Sequence, residues 1–306
     1  MHFAALASPH RVAGDCMAGA FIAVDWGTTN RRAYRIEAGE ATGTERDPLG
    51  VGAMAGRSYP AALAELRTRL GDLPVLMAGM VGSTIGWCEA PYAPLPATTE
   101  AVAGRLLLID ERTAIVPGLA VRDGGRCDVM RGEEVQLLGA VNAGLAPSDA
   151  LLCQPGTHCK WAAMRGGAVV DFTTAMTGEL FALLRAGSVL SAFLQEPVTP
   201  GEAFRAGAAR GAAGDLAAAL FGVRAAGVLG ELPETEASSF ASGVLIGSDV
   251  APRLAACGGE IVHILADAAL GALYQTAIEA LGGRAVLVDS ELAFVAGINA
   301  IKELWG

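Results

Sequence analysis

Two segments of this chain share a strand-turn-strand pattern with Gly-Thr at the turn. The first is FIAVDWGTTNRRAYRI, from Phe21 to Ile36, and the second is LLCQPGTHCKWAAM, from Leu151 to Met164. Aligning Gly27 with Gly156 sets a constant offset of 129 residues (156 minus 27). The same offset pairs Thr28 with Thr157, Arg31 with Lys160 and Ala33 with Ala162. Such an internal repeat predicts two like halves.

Length and composition agree with two halves built from buried parallel sheets covered by helices. The chain has 306 residues, which is long enough for two domains of about 150 residues each. Hydrophobic residues make up 52% and charged residues 18%, and strand and helix patterns alternate along the chain. We therefore predict an α/β protein with domains at 19–147 and 148–306, preceded by a flexible tail at 1–18.

Charge and cysteine content exclude several classes of function. The net charge of -10 and the absence of a Lys/Arg run argue against binding to nucleic acid or to an anionic membrane. No apolar run reaches about 18 residues, so no membrane span is expected. The six cysteines show no metal-ligand spacing, which favours reduced thiols in a cytoplasm. Met17, just before the first strand, is an alternative start of translation.

The first hairpin carries the residue types that hold phosphate. At Gly27 the backbone can approach a phosphate closely, and Thr28, Thr29 and Asn30 add donors. Asp25, at the end of the strand, is placed to hold Mg²⁺ together with phosphate oxygens. An ordinary polar β-turn is the alternative interpretation, which the second hairpin disfavours.

The second hairpin repeats this chemistry with a cation. Gly156 and Thr157 can grip phosphate, while Lys160 can neutralise charge on a transferring phosphoryl group. His158, at the apex, is expected to hydrogen-bond a substrate rather than to act directly in catalysis. Neither a P-loop nor a dinucleotide-binding G-x-G-x-x-G motif is present, so the paired hairpins are the remaining nucleotide signal.

Six motifs carry a resemblance to a known family. In chain order they are DWGTTN, AGMVGSTIGW, APYAPLPA, DVMRGEE, PGTHCKW and TAMTGEL, and they span Asp25 to Leu180. The sequence resembles the 2-dehydro-3-deoxygalactonokinase family, within the superfamily of actin-like ATPases and sugar kinases. The resemblance implies two ribonuclease H-like domains with a nucleotide cleft between them. It also implies Mg²⁺-dependent transfer of the ATP γ-phosphoryl group to the terminal hydroxyl of 2-dehydro-3-deoxy-D-galactonate, a small-molecule sugar acid.

Such a transfer needs a general base, and two neighbouring glutamates are candidates. Glu133 and Glu134 lie where a helix is predicted to begin, so the helix dipole would keep them ionised. The same position also favours acidic residues for stability alone. We prefer Glu133 to Glu134, with Asp25 as the rival base. Arg131 is expected to pair with the substrate carboxylate or with a glutamate.

Other segments are candidate substrate or nucleotide contacts. The glycine-rich loop is either a substrate wall or a strand exit with a core tryptophan; its residues are Gly79, Gly82, Ser83 and Gly86, followed by Trp87. Thr177 is expected to be a helix N-cap, and both Thr177 and Glu179 are candidate sugar contacts. Gly243 and Gly247 lie four residues apart, a spacing typical of helix packing. They become candidate nucleotide contacts if the segment 243–249 holds adenine in place of the atypical loop LADAAL, at 265–270.

Three alternatives stay open at this stage. The first is an actin-like ATPase that couples nucleotide state to a protein partner, although much of the sequence between the hairpins is occupied by candidate substrate loops. The second is a phosphatase with the same fold. The third is a kinase of another sugar or sugar acid, because one epimeric hydroxyl can change specificity without changing a motif. Assembly into a homodimer is also left open.

Overall fold

The computed structural model describes residues 19–305, so the tail at 1–18 and the start at Met17 lie outside the described residues. The strands are β1 (Phe21–Trp26), β2 (Arg31–Glu37), β3 (Glu40–Asp47), β4 (Val75–Gly79), β5 (Tyr92–Pro94), β6 (Leu107–Asp110), β7 (Thr113–Ile115), β8 (Gly118–Asp123), β9 (Arg126–Met130), β10 (Ala150–Gln154), β11 (Cys159–Arg165), β12 (Ala168–Ala175), β13 (Ile261–Ala266) and β14 (Arg284–Asp289). The helices are α1 (Tyr59–Leu70), α2 (Thr99–Ala103), α3 (Glu133–Asn142), α4 (Thr177–Gly187), α5 (Glu202–Ala212), α6 (Leu216–Leu229), α7 (Glu234–Cys257), α8 (Ala268–Ala280) and α9 (Ser290–Leu304).

The two larger sheets repeat one strand order. The first runs β3-β2-β1-β4-β7-β6 and the second β12-β11-β10-β13-β14. In each, a central strand pairs antiparallel with the next strand of its hairpin and parallel with a strand that follows a helix. A third sheet, β5-β8-β9, is formed by residues of the first half, and its β9 contacts β12 of the second half. The predicted α/β class is confirmed, and both hairpins form as predicted.

The first hairpin sits at the centre of its sheet because β1 is apolar on both faces. Phe21 and Ala23 belong to one buried cluster, while Ile22, Val24 and Trp26 belong to another that α1 covers. A strand covered on both faces reads as a continuous apolar run, which is what FIAV shows. This double burial fixes the strand end that carries Asp25.

Helix α9 follows the second sheet but packs on α3, which follows the first. A methyl group on Gly139 would lie 1.9 Å from the Ala293 carbonyl oxygen, and one on Gly297 would lie 1.9 Å from that of Val135. The two backbones therefore touch at a glycine crossing. One buried core contains residues of both halves, including Leu76, Leu152 and Ile298. The division at 147/148 stays a prediction.

A second glycine crossing joins α5 and α7 and corrects one prediction. Added methyl groups on Gly243 and Gly247 would lie 2.1 Å from the backbone oxygens of Phe204 and Ala208 in α5. Both glycines therefore face a helix, with no space for a nucleotide. Their spacing reflects helix packing, and the predicted nucleotide contacts at these two positions are wrong.

No helix within residues 19–305 combines the length and the apolar character needed to cross a membrane.

Candidate active site

Both hairpin turns line one cavity of about 540 Å³. From the first hairpin it receives Asp25, Gly27, Thr28 and Thr29. From the second half it receives Gly156, Thr157, His158 and Glu179, and from the β9–α3 turn Arg131, Gly132 and Glu133. The structure thus brings together ten of the predicted site residues, although the two hairpins lie 129 positions apart in sequence.

The first turn is held by the segment that follows β3. Residues 50, 51 and 52 donate backbone N–H bonds to the carbonyls of Thr29, Gly27 and Thr28, at 2.9 to 3.1 Å. The turn's own carbonyls are therefore occupied. The side chains of Thr28, Thr29 and Asn30 remain exposed, and of these three only the two threonines line the cavity.

The second turn is held by the first turn of α4. The Glu179 N–H donates to the Thr157 carbonyl at 2.9 Å, and Glu179 Oε2 lies 2.6 Å from His158 Nε2. Gly178 allows this approach, since a methyl group there would lie 2.3 Å from the Gly156 carbonyl oxygen. His158 therefore lies at the cavity with a carboxylate partner.

Thr177 does not play its predicted roles. It is the first residue of α4, whose N-cap is Met176, and its side chain makes no cap bond. Its hydroxyl is buried and donates to Asp249 Oδ2 at 3.1 Å. This buried bond anchors α4 to α7, and Thr177 does not line the cavity.

The two glutamates of the α3 N-terminus point to different environments. Glu133 lines the cavity, accepts the Arg131 N–H at 3.0 Å and lies 3.4 Å from Lys160 Nζ. Glu134 is fully buried and accepts the Gly132 N–H, and burial raises its pKa to about 8. Of the two, only Glu133 can reach a ligand in the cavity, which supports the preference for Glu133.

Asp25 and Lys160 complete the charged group. Burial raises the pKa of Asp25 to about 6, Arg32 lowers it in part, and Glu133 raises it further. Lys160 is only 4% exposed, and it reaches Glu133 from β11 of the other half. It does not itself line the cavity. In this structure the Lys160 ammonium therefore pairs with the Glu133 carboxylate and does not face the space where a phosphate would bind.

The glycine-rich loop contributes only its first residue, Gly79, from the predicted substrate wall, together with Met80. Gly79 and Met80 line the cavity, whereas Gly82, Ser83 and Trp87 do not. The Ser83 hydroxyl donates to the Met80 carbonyl at 2.7 Å, and Trp87 stacks on Tyr59 with ring centroids 5.7 Å apart. These contacts stabilise the loop itself. The predicted substrate contacts at these three residues are therefore not supported.

Arg131 is buried against that loop. Its Nη2 donates to the Ala90 carbonyl at 2.8 Å, and its guanidinium carbon lies 4.3 Å from the centre of the Tyr92 ring. Gly82 makes room for it, because a methyl group there would lie 3.0 Å from Nη1. Among the described residues, its Nε and Nη1 find no hydrogen-bond partner. These two nitrogens have almost no solvent-accessible surface, and leaving them unpaired is costly, so an anion that gained access to them would be bound favourably.

A second cavity, of about 720 Å³, adjoins the first. The two share Asp25, Gln136, Gln154 and Pro155. The second cavity is further lined by the β13–α8 turn at 265–268, by the β14–α9 turn at 287–291, and by Arg32 and Arg46. The loop LADAAL therefore does face a cavity, with Asp267 capping α8 by accepting two backbone N–H bonds.

Sequence reasoning missed the two glutamines and Arg32. Gln154 Nε2 donates to Gln136 Oε1 at 2.5 Å, which links the halves beside Asp25, and Gln154 Oε1 has no partner among the described residues. Two signals were available. Gln136 follows Glu133 by three positions on α3 and so shares its face, and Arg32 is the strand partner of Asp25 in the hairpin register.

The carboxylates of the first cavity suit a cation that takes few protein ligands. Within residues 19–305, no three His, Cys, Asp or Glu side chains cluster closely enough to enclose a metal ion. Mg²⁺ is usually held by one or two carboxylates, with phosphate oxygens and water as its other ligands. Asp25, which lines both cavities, fits that requirement.

Comparison with known proteins identifies the family. Residues 25–301 match the model of the 2-keto-3-deoxy-galactonokinase family. The curated 2-dehydro-3-deoxygalactonokinase of Escherichia coli K12 is 41% identical over 289 residues, covering 93% of this chain and 98% of that protein. The crystal structure of a provisionally assigned 2-dehydro-3-deoxygalactonokinase from Sinorhizobium meliloti has a TM-score of 0.86 at 35% identity, covering 92% of this chain and 97% of that one.

A more distant match concerns the fold alone. The (R)-2-hydroxyglutaryl-CoA dehydratase component A of Acidaminococcus fermentans has a TM-score of 0.50 at 13% identity, covering 93% of this chain and 98% of that one. The fold is that of the actin-like ATPases and sugar kinases, as the resemblance implied. With a family model that matches 25–301 and relatives that align over almost their whole length, the chain belongs to the 2-keto-3-deoxy-galactonokinase family.

Proposed function

We propose that this protein is an ATP-dependent kinase that phosphorylates the terminal hydroxyl of 2-dehydro-3-deoxy-D-galactonate to give the 6-phosphate. The supporting observation is one cavity that collects two Gly-Thr turns, one from each half of the repeat, and three acidic side chains, Asp25, Glu133 and Glu179. In this proposal the halves are ribonuclease H-like domains with the nucleotide cleft between them. The protein acts in the cytoplasm, where ATP is available and its cysteines stay reduced.

The nucleotide occupies the larger cavity. The turns at 265–268 and 287–291 supply the adenosine side, and Arg32 faces the phosphates. The phosphate chain then passes the shared residues and reaches the two hairpin turns. Asp25 would hold Mg²⁺, which would neutralise charge on the phosphates.

The sugar acid occupies the smaller cavity, with its terminal hydroxyl beside Glu133. Glu133 accepts the hydroxyl proton, the oxygen bonds to the γ-phosphorus, and ADP leaves with the bridging oxygen. Lys160 positions the Glu133 carboxylate through their 3.4 Å contact. His158 and Glu179 hydrogen-bond the sugar hydroxyls. Closure of the two halves over both substrates excludes water.

Arg131 binds the acceptor's carboxylate in this proposal. The support is its burial together with its unpaired Nε and Nη1. Arg131→Lys keeps the charge but loses the bidentate geometry. We expect its KM for the acid to rise about tenfold or more, with kcat little changed. An unchanged KM for the acid, with a raised KM for ATP, would assign Arg131 to the nucleotide.

The decisive experiment is ADP release from Mg-ATP in a coupled assay. The acceptors are 2-dehydro-3-deoxy-D-galactonate, its gluconate epimer, common hexoses and none. Stimulation by the galactonate compound alone supports the proposal. Turnover with another sugar alone rejects the substrate, and acceptor-independent ADP release indicates an ATPase.

Variants test the roles of the charged residues in the same assay. Glu133→Gln and Asp25→Asn should each lower kcat by about 100-fold or more. Glu65→Gln, an exposed carboxylate on α1, is the matched control and should keep wild-type turnover. Wild-type turnover in Glu133→Gln would exclude Glu133 as the base.

A further inference from the structure

Asp249 of α7 is a buried carboxylate that lies outside the active-site cavities. Its exposed fraction is 7%, and it lines neither the smaller cavity nor the larger one. Burying a carboxylate is costly unless hydrogen bonds satisfy its oxygens. The donors that reach Asp249 therefore indicate what a carboxylate does at this position.

Three donors from three different elements converge on Asp249. Its Oδ1 accepts from Trp161 Nε1 at 3.0 Å. Its Oδ2 accepts from the Thr177 hydroxyl at 3.1 Å and from the Tyr274 hydroxyl at 3.2 Å. These residues belong to β11, α4 and α8, so one side chain joins all three elements to α7.

The bond from Trp161 fixes the strand that leaves the second phosphate turn. Side chains of a strand alternate between two faces, and here Trp161 packs in one buried cluster and its neighbour Ala162 in another. Lys160 shares the face of Ala162, and its Nζ lies 3.4 Å from Glu133 Oε1. A rotation of β11 that broke the bond between Trp161 and Asp249 would also move Lys160 away from Glu133.

The bond from Thr177 fixes the helix that holds the same turn from the other side. The next residue, Gly178, approaches so closely that a methyl group there would lie 2.3 Å from the Gly156 carbonyl oxygen. The Glu179 N–H then donates to the Thr157 carbonyl at 2.9 Å. The anchoring of Thr177 therefore determines where the two turn residues lie.

We propose that Asp249 is a positioning residue for phosphoryl transfer, which holds the second phosphate turn through Trp161 of the strand leaving the turn and Thr177 of the helix contacting it. Its part in catalysis rests on the proposed kinase function, whereas its hold on the turn does not. The competing explanation is a buried hydrogen-bond network that serves stability alone. That explanation predicts similar effects from the loss of any one donor.

Thr177→Val and Tyr274→Phe are a matched pair of variants, because each deletes one hydroxyl that donates to the same Asp249 oxygen. Thr177 adjoins the residues that contact the turn, whereas Tyr274 lies in the middle of α8. The melting temperatures of the two variants should agree within about 3 °C. The variants should differ only in properties that depend on the turn.

Hydrogen exchange measured by mass spectrometry reports on the turn without substrate or turnover. In peptides that cover 156–158 and 178–180, exchange should be about fivefold faster or more in Thr177→Val than in the wild type, because the bond from the Glu179 N–H to Thr157 opens more often. Tyr274→Phe should exchange like the wild type in these peptides. Equal exchange in all three proteins would overturn the proposal.

Steady-state kinetics with the sugar acid test the catalytic part. Thr177→Val should lower kcat about tenfold or more with little change in KM for the acid, because the turn no longer holds the transferring phosphoryl group in place. Tyr274→Phe should keep kcat within about twofold of the wild type. An equal fall in both variants, or an unchanged kcat in Thr177→Val, would refute the positioning role. If the wild type turns over no acceptor, the proposed kinase function fails, and the exchange comparison still decides whether Asp249 holds the turn.

Two replacements of Asp249 itself separate hydrogen bonding from charge. Asp249→Asn keeps an acceptor for Trp161, and its amide can donate to both hydroxyls, which accept as well as donate. It should keep kcat within about threefold of the wild type, whereas Asp249→Leu should lose about tenfold or more. Equal losses in both would contradict positioning by hydrogen bonds. If Asp249→Leu does not fold, the comparison of Thr177→Val with Tyr274→Phe decides alone.

Discussion

Replacing Glu134 with glutamine should change how stability depends on pH. Glu134 is fully buried beside Glu133, and burial raises its pKa from 4.5 to about 8. The folded protein therefore holds this proton more tightly than the unfolded chain does. Between about pH 4.5 and pH 8 the unfolding free energy of the wild type falls as pH rises, because ionisation is easier in the unfolded state. Glutamine cannot ionise, so Glu134→Gln removes this fall of the unfolding free energy with rising pH.

The magnitude follows from the size of the shift. One pKa unit corresponds to about 1.4 kcal/mol, so a shift from 4.5 to about 8 amounts to roughly 5 kcal/mol in total. Over the two units from about pH 5.5 to pH 7.5, the stability of Glu134→Gln relative to wild type should rise by about 3 kcal/mol. The Gly132 N–H, which donates to the carboxylate at 2.7 Å, retains one acceptor in the amide.

Urea denaturation followed by circular dichroism at several pH values measures this difference. Glu65→Gln, on the exposed face of α1, controls for the loss of one carboxylate and should track the wild type. The reasoning is refuted if the difference between Glu134→Gln and wild type stays constant from pH 5.5 to 7.5. If the wild type instead becomes more stable relative to Glu134→Gln as pH rises, the fold stabilises Glu134 as the anion.

Three further predictions concern packing and the second turn. Gly139→Ala should lower the free energy of unfolding by about 3 kcal/mol or more, because its methyl group meets a backbone oxygen at 1.9 Å; Gly187→Ala, with open space around it, should not. Gly243→Ala should lower the melting temperature of any folded fraction without changing its KM for ATP, and a raised KM at unchanged stability would contradict the packing assignment. His158→Ala should change the free energy of unfolding by less than about 1 kcal/mol, because the contact between His158 and Glu179 is solvent-exposed. A larger loss of stability in thermal unfolding would contradict this expectation.

The hairpins could be predicted because their signals are local. An apolar run followed by Gly-Thr specifies the strand and the turn within about ten residues, and the repeat at offset 129 predicted two like halves. The helix at 133–142 was likewise readable from its periodicity. Glu133 was predicted to lie in the first turn of this helix, and it does line the cavity. A helix N-terminus that follows a strand lies at the edge of the sheet.

The misassigned residues depend on contacts between distant segments. Trp87 faces Tyr59 rather than the cavity, and Ser83 satisfies a carbonyl within its own turn. Nothing within the loop sequence distinguishes these contacts from substrate binding. For Gly243 the spacing correctly indicated helix packing, but only the structure shows that the neighbouring helix is α5.

Three contacts that join the two halves beside the site lie on α3. Its first residue, Glu133, faces Lys160 of β11, and Gln136, one turn later, accepts from Gln154 of β10. A further turn along, Gly139 meets α9 backbone to backbone. Successive turns of one helix thus contact the hairpin and the last helix of the other half. Because the backbone contact at Gly139 is the tightest and the polar contacts at Glu133 are the most open to the cavity, relative motion of the halves should pivot near Gly139 and change the separation at Glu133 most.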